Sequence, residues 1–269
     1  MSIIKNDFEK MNITKIKNSK NNKKLTVITA YDALFAKLFE EIADMILVGD
    51  SLNMSFAGKN DTLSATLEQM IYHTNAVCTG APKAFVITDM PFGTYINKDE
   101  ALKNCIEVYR QTNAAAVKIE GGADKADIIK HLTSNSIAVM GHIGLMPQYV
   151  RSEGGYKVRG KTHQDEKQLI DDAVAVEKAG AFAIVVEGVM SNVAEKITEA
   201  VNIPIIGIGA GNVTDGQVLV WSDMLGFFEE FKPKFVRHYL NGAELVKEAV
   251  NQYRNDVQDG SFPSKEEEY

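Results

Sequence analysis

The sequence predicts an α/β fold, a (β/α)8 TIM barrel in one domain. Three observations predict it. Short apolar or β-branched runs recur eight times, amphipathic stretches of helical period separate them, and polar residues collect at the C-terminal ends of the runs. Strand–helix alternation with almost wholly apolar strands implies a parallel sheet covered on both faces. Eight such units in 269 residues match the size of a barrel. An open doubly wound sheet would place G-x-G-x-x-G after the first strand, where this chain has "TAYDALFA".

In chain order, the first run is "LTVITA" (25–30), followed by a helical pattern over 31–43. "MILVGDS" (45–51) precedes the helical stretch 66–81, and "AFVITDM" (84–90) precedes 97–114. "AAVKIEGG" (115–122) leads into 123–135, and "IAVMGHIG" (137–144) leads through a long loop into 165–181. "FAIVVEGV" (182–189) is followed by 191–202, and "IPIIGIGAG" (203–211) by a shorter helix expected within 213–223. The weakest run, "DMLGFF" (223–228), is taken as the eighth strand. Residues 1–22 read as a polar or helical extension, 23–255 as the catalytic barrel, and 256–269 as a frayed, charged tail. The loop at 145–164 is long for a compact domain, carries Tyr, Lys and Arg residues, and contains Gly154-Gly155. Such loops are functional or mobile, and a lid over a site is one reading.

Composition narrows the function classes. Net charge is −7 with no basic stripe, which argues against nucleic acid as a partner. No apolar run approaches the ~20 residues of a membrane helix, and the N-terminus lacks a signal-peptide pattern. Cys78 and Cys105 have no second Cys or His at zinc spacing and read as reduced core residues. A cytoplasmic protein is expected.

The polar residues carry the chemistry. Asp50-Ser51, Asp89, Lys118, Glu120, His142 and Glu187 all fall at or near the C-terminal ends of their runs. In a barrel those ends form the catalytic rim. Asp50, Asp89 and Glu120 converging there repel one another, and a hard divalent cation relieves that repulsion; an all-oxygen set favours Mg²⁺. Lys118 offers a cation to an anionic substrate, and Glu187 on another strand suits a general base or acid. Structural readings stand beside these. Asp50 and Asp89 also suit caps of the following turn. Lys118 and Glu120, on one strand face, also suit an internal ion pair. His142 also suits a hydrogen-bonded core histidine. "GIGAG" could take a phosphate at a helix N-terminus, or its glycines simply permit close approach.

The stretches "ITAYDALFAKL", "ILVGDSLNM", "DTLSATLEQMIYHTNAV", "ITDMPFGTY", "AAVKIEGG", "MGHIGLMPQ", "GGYKVRGKT", "IPIIGIGAGNVTDGQVLV" and "FKPKFVRHY" resemble the ketopantoate (3-methyl-2-oxobutanoate) hydroxymethyltransferase family over roughly residues 20–255. The resemblance implies a (β/α)8 barrel, Mg²⁺, a small 2-oxo acid substrate with 5,10-methylenetetrahydrofolate as the reduced-folate donor, a step toward pantothenate, and a homo-oligomer, commonly a decamer. It maps metal binding to Asp50, Asp89 and Glu120, substrate contact to Asp50, Ser51, Asp89 and Lys118, and the proton acceptor to Glu187. His142 falls in the active-site neighbourhood and is grouped with the substrate contacts. Two departures stand out: Ser64-Ala65 where the family usually has Pro-Val, and "EGVMSNVA" where a Pro usually follows the Glu. The rival reading is a folate-independent, Mg²⁺-dependent C–C lyase or mutase acting on 2-oxo acids. A lyase of that group often has a Cys in its active-site loop, and 145–164 has none. A non-catalytic barrel would have lost an acid or the base, and all are present.

Overall fold

The computed structural model describes residues 10–229 and 232–269. Eight parallel strands close into a barrel in sequence order: β1 (Leu25–Thr29), β2 (Met45–Val48), β3 (Val86–Asp89), β4 (Ala116–Glu120), β5 (Val139–Gly144), β6 (Ala183–Glu187), β7 (Ile205–Ile208) and β8 (Gly216–Leu219). The helices among the described residues are α1 (Ile13–Asn18), α2 (Ala33–Phe39), α3 (Leu52–Ser55), α4 (Leu67–Gly80), α5 (Lys98–Gln111), α6 (Ala126–Ser134), α7 (His163–Lys178), α8 (Ser191–Ala200), α9 (Trp221–Met224) and α10 (Gly242–Asp259). The chain forms two compact units, one ending at Leu219 and the other running from Val220 to Tyr269. All eight strands lie in the first.

Local chemistry starts the helices where they start. Asp32, Thr66, Asn97 and Thr162 are extended N-caps whose side chains accept from the backbone N–H three residues on. At Thr66 the bond is reciprocated by Gln69, a capping box. Longer outer helices then bury one stripe at helical spacing, such as Ala101, Cys105 and Val108 on α5 or Leu169, Ala173 and Val176 on α7.

The strands show period-2 alternation. Val117, Ile119, Val139, Ile143, Ile184, Val186 and Ile205 belong to the apolar cluster that includes buried residues of α5, α6, α7 and α8. Leu25, Val27, Met45, Leu47, Phe85, Ile87, Ala116, Met140, Ala183, Val185, Ile206, Ile208 and Val218 form a second cluster, the barrel interior. A strand sends residues i and i+2 to one face. Ala116 therefore assigns Lys118 and Glu120 to the interior, and the same count carries Ile87 to Asp89, Met140 to His142 and Val185 to Glu187.

The eighth strand differs from expectation. Residues 223–228 are not a strand: Asp223 and Met224 end α9 and the residues after them form a turn and loop. The strand lies instead inside 213–223, where a short helix is predicted. Gly216 pairs with Leu25 of β1 and Ile206 of β7, and a Cβ at Gly216 would sit 2.5 Å from the Leu25 carbonyl oxygen. Strand pairing on both sides overrides the weak local pattern of four residues. Helix α10 also runs past residue 255, into the segment expected to fray. Cys78 and Cys105 are both buried and unpaired with each other. No helix of the described residues is long and apolar enough to cross a membrane.

Candidate active site

The interior-facing residues at the strand ends meet. Register sets their heights: Asp89 is level with Lys118, Glu120 with His142, and Gly144 with Glu187 on neighbouring strands. The Lys118 ammonium lies 3.1 Å from Asp89 Oδ1 and 2.9 Å from His142 Nδ1. His142 Nδ1 is 3.5 Å from Glu120 Oε1, and its Nε2 is 3.3 Å from Glu187 Oε2. Asp89, Lys118, Glu120 and His142 are buried, whereas the Glu187 side chain keeps 20% of its surface exposed.

Asp50 joins from the turn after β2. Its backbone N–H donates to Asp89 Oδ2 at 3.0 Å, and its Oδ2 accepts from the Gln148 amide at 2.8 Å. The Gln148 backbone N–H donates to Glu120 Oε2 at 3.0 Å. Tyr95 donates its hydroxyl to Gln148 Oε1 at 2.5 Å. Ser51 shares a 2.8 Å hydrogen bond with the Tyr31 hydroxyl. A cavity of about 270 Å³ adjoins Gln148 and is walled in part by Phe92, Tyr95, Ile96 and Tyr149.

The electrostatics follow from this crowding. Burial, then the charges of Asp89 and Glu120, push the Asp50 carboxyl well above its ordinary range. Burial raises Asp89 as well, and Lys118 opposes the rise. Burial also works against the Glu120 carboxylate, but the His142 contact, Lys118 and the Gln148 N–H outweigh it and hold the group low. For Lys118, burial favours the neutral amine, yet Asp89, Glu120 and Asp50 prevail and keep the ammonium charged. On His142, burial and Lys118 oppose protonation while Glu120 and Glu187 favour it, giving a pKa of about 8. That value and the 2.9 Å Lys118 contact pull apart, since an ammonium only donates. The Lys118 contact uses Nδ1 as acceptor, and Nε2 stands 3.3 Å from Glu187 Oε2.

Glu120 Oε1 is buried and accepts no hydrogen bond, and Asp89 Oδ1 is buried and meets only the Lys118 ammonium at 3.1 Å. Among the described residues, no three His, Cys, Asp or Glu side chains are arranged as a ready metal site. Mg²⁺ typically takes one or two carboxylates and keeps its waters, so these two carboxylate oxygens fit it without a third protein ligand.

The sequence model of the family described as Ketopantoate hydroxymethyltransferase matches residues 10–265. The chain belongs to the ketopantoate hydroxymethyltransferase family. It is 90% identical to a protein of Aliarcobacter butzleri (strain RM4018) named 3-methyl-2-oxobutanoate hydroxymethyltransferase, over all of both chains. A protein of the same name from Helicobacter pylori (strain 26695) is 54% identical, again end to end. Among solved structures, a phosphoenolpyruvate phosphomutase from Streptomyces platensis subsp. rosaceus superposes with a TM-score of 0.61 at 14% identity, over 93% of this chain and 88% of that one. A phosphonopyruvate hydrolase solved with oxalate and Mg²⁺ gives 0.58 at 13%, over 95% and 92%. These two share the fold.

As a ketopantoate hydroxymethyltransferase family member, the chain is an enzyme. Gly144, beside Glu187 in register, has φ +99°, and a Cβ there would overlap the Glu187 carbonyl oxygen. Gly144→Ala is expected to cost about 1–3 kcal/mol in denaturant unfolding. A stability equal to the parent's would contradict the clash.

The loop at 145–164 crosses to the 53–61 region. Arg151 reaches Asp61 Oδ2 at 3.0 Å, and Tyr156 approaches Met54 Sδ at 3.9 Å. Its far end is clamped by Arg159, whose Nε and Nη2 donate to Asp165 Oδ1 at 3.0 and 2.7 Å, while the Gly160 N–H donates to Asp165 Oδ2. Burial works to raise the Asp165 carboxyl, but Arg159 and Gly160 outweigh it and lower it below 3.8. A depressed folded pKa means the clamp contributes above the ordinary value of 3.8 and is lost as pH falls through the lowered one. The Gly160 amide resonance in NMR is expected to titrate with a midpoint below 3.8; a midpoint at or above it would count against the clamp.

The structure brings together Asp50, Asp89, Lys118, Glu120, His142 and Glu187, with Ser51 next to Asp50. Sequence reasoning missed Gln148, Tyr95 and Tyr31. None of the three carries a sequence signal beyond its place in a loop after a strand. The Ser64 departure has a local reason: its hydroxyl accepts from Asn53 Nδ2 at 3.0 Å and ties down the turn after Asp50, a bond a proline could not make. "GIGAG" is followed by β8 and not by a helix, and the first residue of α8, Ser191, packs against its Gly211; a Cβ at Gly207 would meet Thr214 Oγ1 at 2.7 Å, the close-approach reading.

Proposed function

We propose that this enzyme transfers a hydroxymethyl group from 5,10-methylenetetrahydrofolate to 3-methyl-2-oxobutanoate, giving 2-dehydropantoate on the route to pantothenate, with Mg²⁺ as cofactor. The observation that carries the reading is the division of the rim: a buried acid–Lys–His cluster faces a single partly exposed carboxylate, Glu187. Full-length similarity to relatives carrying that enzyme name supports it. The unit ending at Leu219 carries every residue involved.

Asp89 and Glu120, with Asp50 beside them, would hold Mg²⁺, which supplies Lewis-acid polarisation of the keto group. Lys118 and Ser51 hold the anionic end of the 2-oxo acid by charge-assisted and neutral hydrogen bonds. His142 keeps Glu187 oriented from behind. Glu187 removes the proton from C3, and the resulting enolate carbon attacks the one-carbon unit. One carbon–carbon bond and one carbon–oxygen bond form, the oxygen coming from water; both bonds from the one-carbon unit to the folate nitrogens break, and tetrahydrofolate leaves with the C3 proton and one proton of the water on those nitrogens. The cavity walled by Phe92, Tyr95 and Tyr149 suits the flat ring of the donor. The loop at 145–164 serves as the lid.

A homo-oligomer, a decamer by family resemblance, and a cytoplasmic location complete the proposal. Leu245, Val246, Val250 and Tyr253 on α10 are exposed, apolar surface of the kind a second copy covers. Light scattering tests the assembly. The reaction itself is tested by deuterium exchange at C3 of 3-methyl-2-oxobutanoate with Mg²⁺ and with chelator, followed by addition of the folate donor. Exchange that needs Mg²⁺, then product only with folate, is the expected result. Carbon–carbon chemistry without folate would favour a lyase or mutase on the same barrel.

A further inference from the structure

Resting on the reading of this rim as the active site, we propose that Gln148, fixed by Tyr95, is a positioning residue that sets Asp50 and Glu120 in working geometry. The carboxamide uses every group it has. One N–H goes to Asp50 Oδ2 at 2.8 Å and the other to the Met90 carbonyl at 3.0 Å, while the oxygen accepts the Tyr95 hydroxyl at 2.5 Å. The flipped carboxamide would set its oxygen against both Asp50 and the Met90 carbonyl, so the network admits one orientation. The backbone N–H of the same residue donates to Glu120 Oε2 at 3.0 Å. One residue therefore restrains acids from two places, the turn after β2 and the end of β4.

Its placement suits the task. Gln148 is buried and sits in a 3₁₀ turn, Pro147–Tyr149, directly after β5, the strand that carries His142. The turn is also the root of the 145–164 loop. Tyr95 comes from the segment after β3, the strand that ends in Asp89, and its ring is buried. Each acid keeps one oxygen on Gln148, which orients the other toward the rim. A buried network with all donors and acceptors paired fixes one geometry, and partners behind a ligating carboxylate typically matter about 10–100-fold in affinity or activity.

The experiment uses the full chain with Gln148→Leu, Tyr95→Phe and the double variant. C3 exchange of 3-methyl-2-oxobutanoate is followed by NMR, Mn²⁺ affinity by electron paramagnetic resonance, and folding by melting temperature. Gln148→Leu is expected to slow exchange and weaken Mn²⁺ about 10–100-fold while melting close to the parent. Tyr95→Phe, which deletes one hydroxyl, is expected to lose about 10-fold, and the double variant to be no worse than Gln148→Leu, because Tyr95 acts through Gln148. Should Gln148→Leu fail to fold, Tyr95→Phe decides by the same measure. Parental exchange and Mn²⁺ affinity in Tyr95→Phe and Gln148→Leu overturn the proposal, and so does a double variant whose losses multiply. A parent enzyme that exchanges no C3 proton with Mg²⁺ present overturns the reading of the rim, and this proposal with it.

Discussion

Glu187→Gln is expected to retain 2-oxo acid binding within a few-fold and to lose C3 proton exchange by about 10²–10⁴-fold. The substitution keeps the shape of the side chain and removes only its basicity. Glu187 is the last residue of β6, follows the buried run Ala183–Val186, and keeps part of its carboxylate open beside His142 Nε2 at 3.3 Å. The other acids of the rim are buried and engaged by Lys118, Gln148 or one another. A base must reach a substrate proton, which makes the exposed carboxylate the one that can act. Proton NMR of the substrate in D₂O measures the rate. Undiminished exchange in the variant removes Glu187 from the role and turns attention to His142.

Lys118→Met is expected to have the largest effect on the folded state. It deletes the ammonium held beside Asp89 and leaves three acids in the barrel interior. Breaking a buried pair by removing one partner costs about 3–5 kcal/mol. The loss should depend on pH, and its sign can be worked out. Without Lys118 the Asp89 carboxyl, already raised by burial, rises further. A raised folded pKa adds stability that is complete below the unfolded value of 3.8 and is lost as pH rises through the folded one. The variant should therefore lie nearer the parent in mild acid than at pH 8 in urea unfolding at fixed protein concentration. An equal deficit across that range would mean that packing, and not stranded charge, explains the loss. Affinity for the 2-oxo acid should fall about 10–100-fold, the worth of one charge-assisted hydrogen bond.

Much of the fold is legible in the sequence for a plain reason. Seven strands are apolar runs bounded by helical patterns, and the barrel's interior and exterior alternate along each. β8 is not legible, because Gly216–Leu219 has no local signature and is a strand only through pairing with β1 and β7. The site is legible where a charge interrupts an apolar strand, as with Lys118, Glu120 and Glu187. Gln148 is not, because an uncharged amide in a loop looks like surface until its four hydrogen bonds are traced. Nor does the sequence say that Lys118 is placed between Asp89 and His142, since the three come from different strands and only the pairing register of β3, β4 and β5 brings them together.

The mounting of Lys118 and Glu120 has a consequence for what this enzyme can become. They stand two residues apart on a strand hydrogen-bonded on both sides, and a strand rises about 3.3 Å per residue. Their spacing is a graduation on a covalent ruler, about 6.6 Å at the backbone, and no small rearrangement can stretch it. If these two residues read a 2-oxo carboxylate as proposed, that recognition is indifferent to the rest of the substrate. Acceptance of longer or bulkier chains has to be selected in the segments after β3 and β5, around Phe92, Ile96 and Tyr149, where side chains can change without moving the ruler.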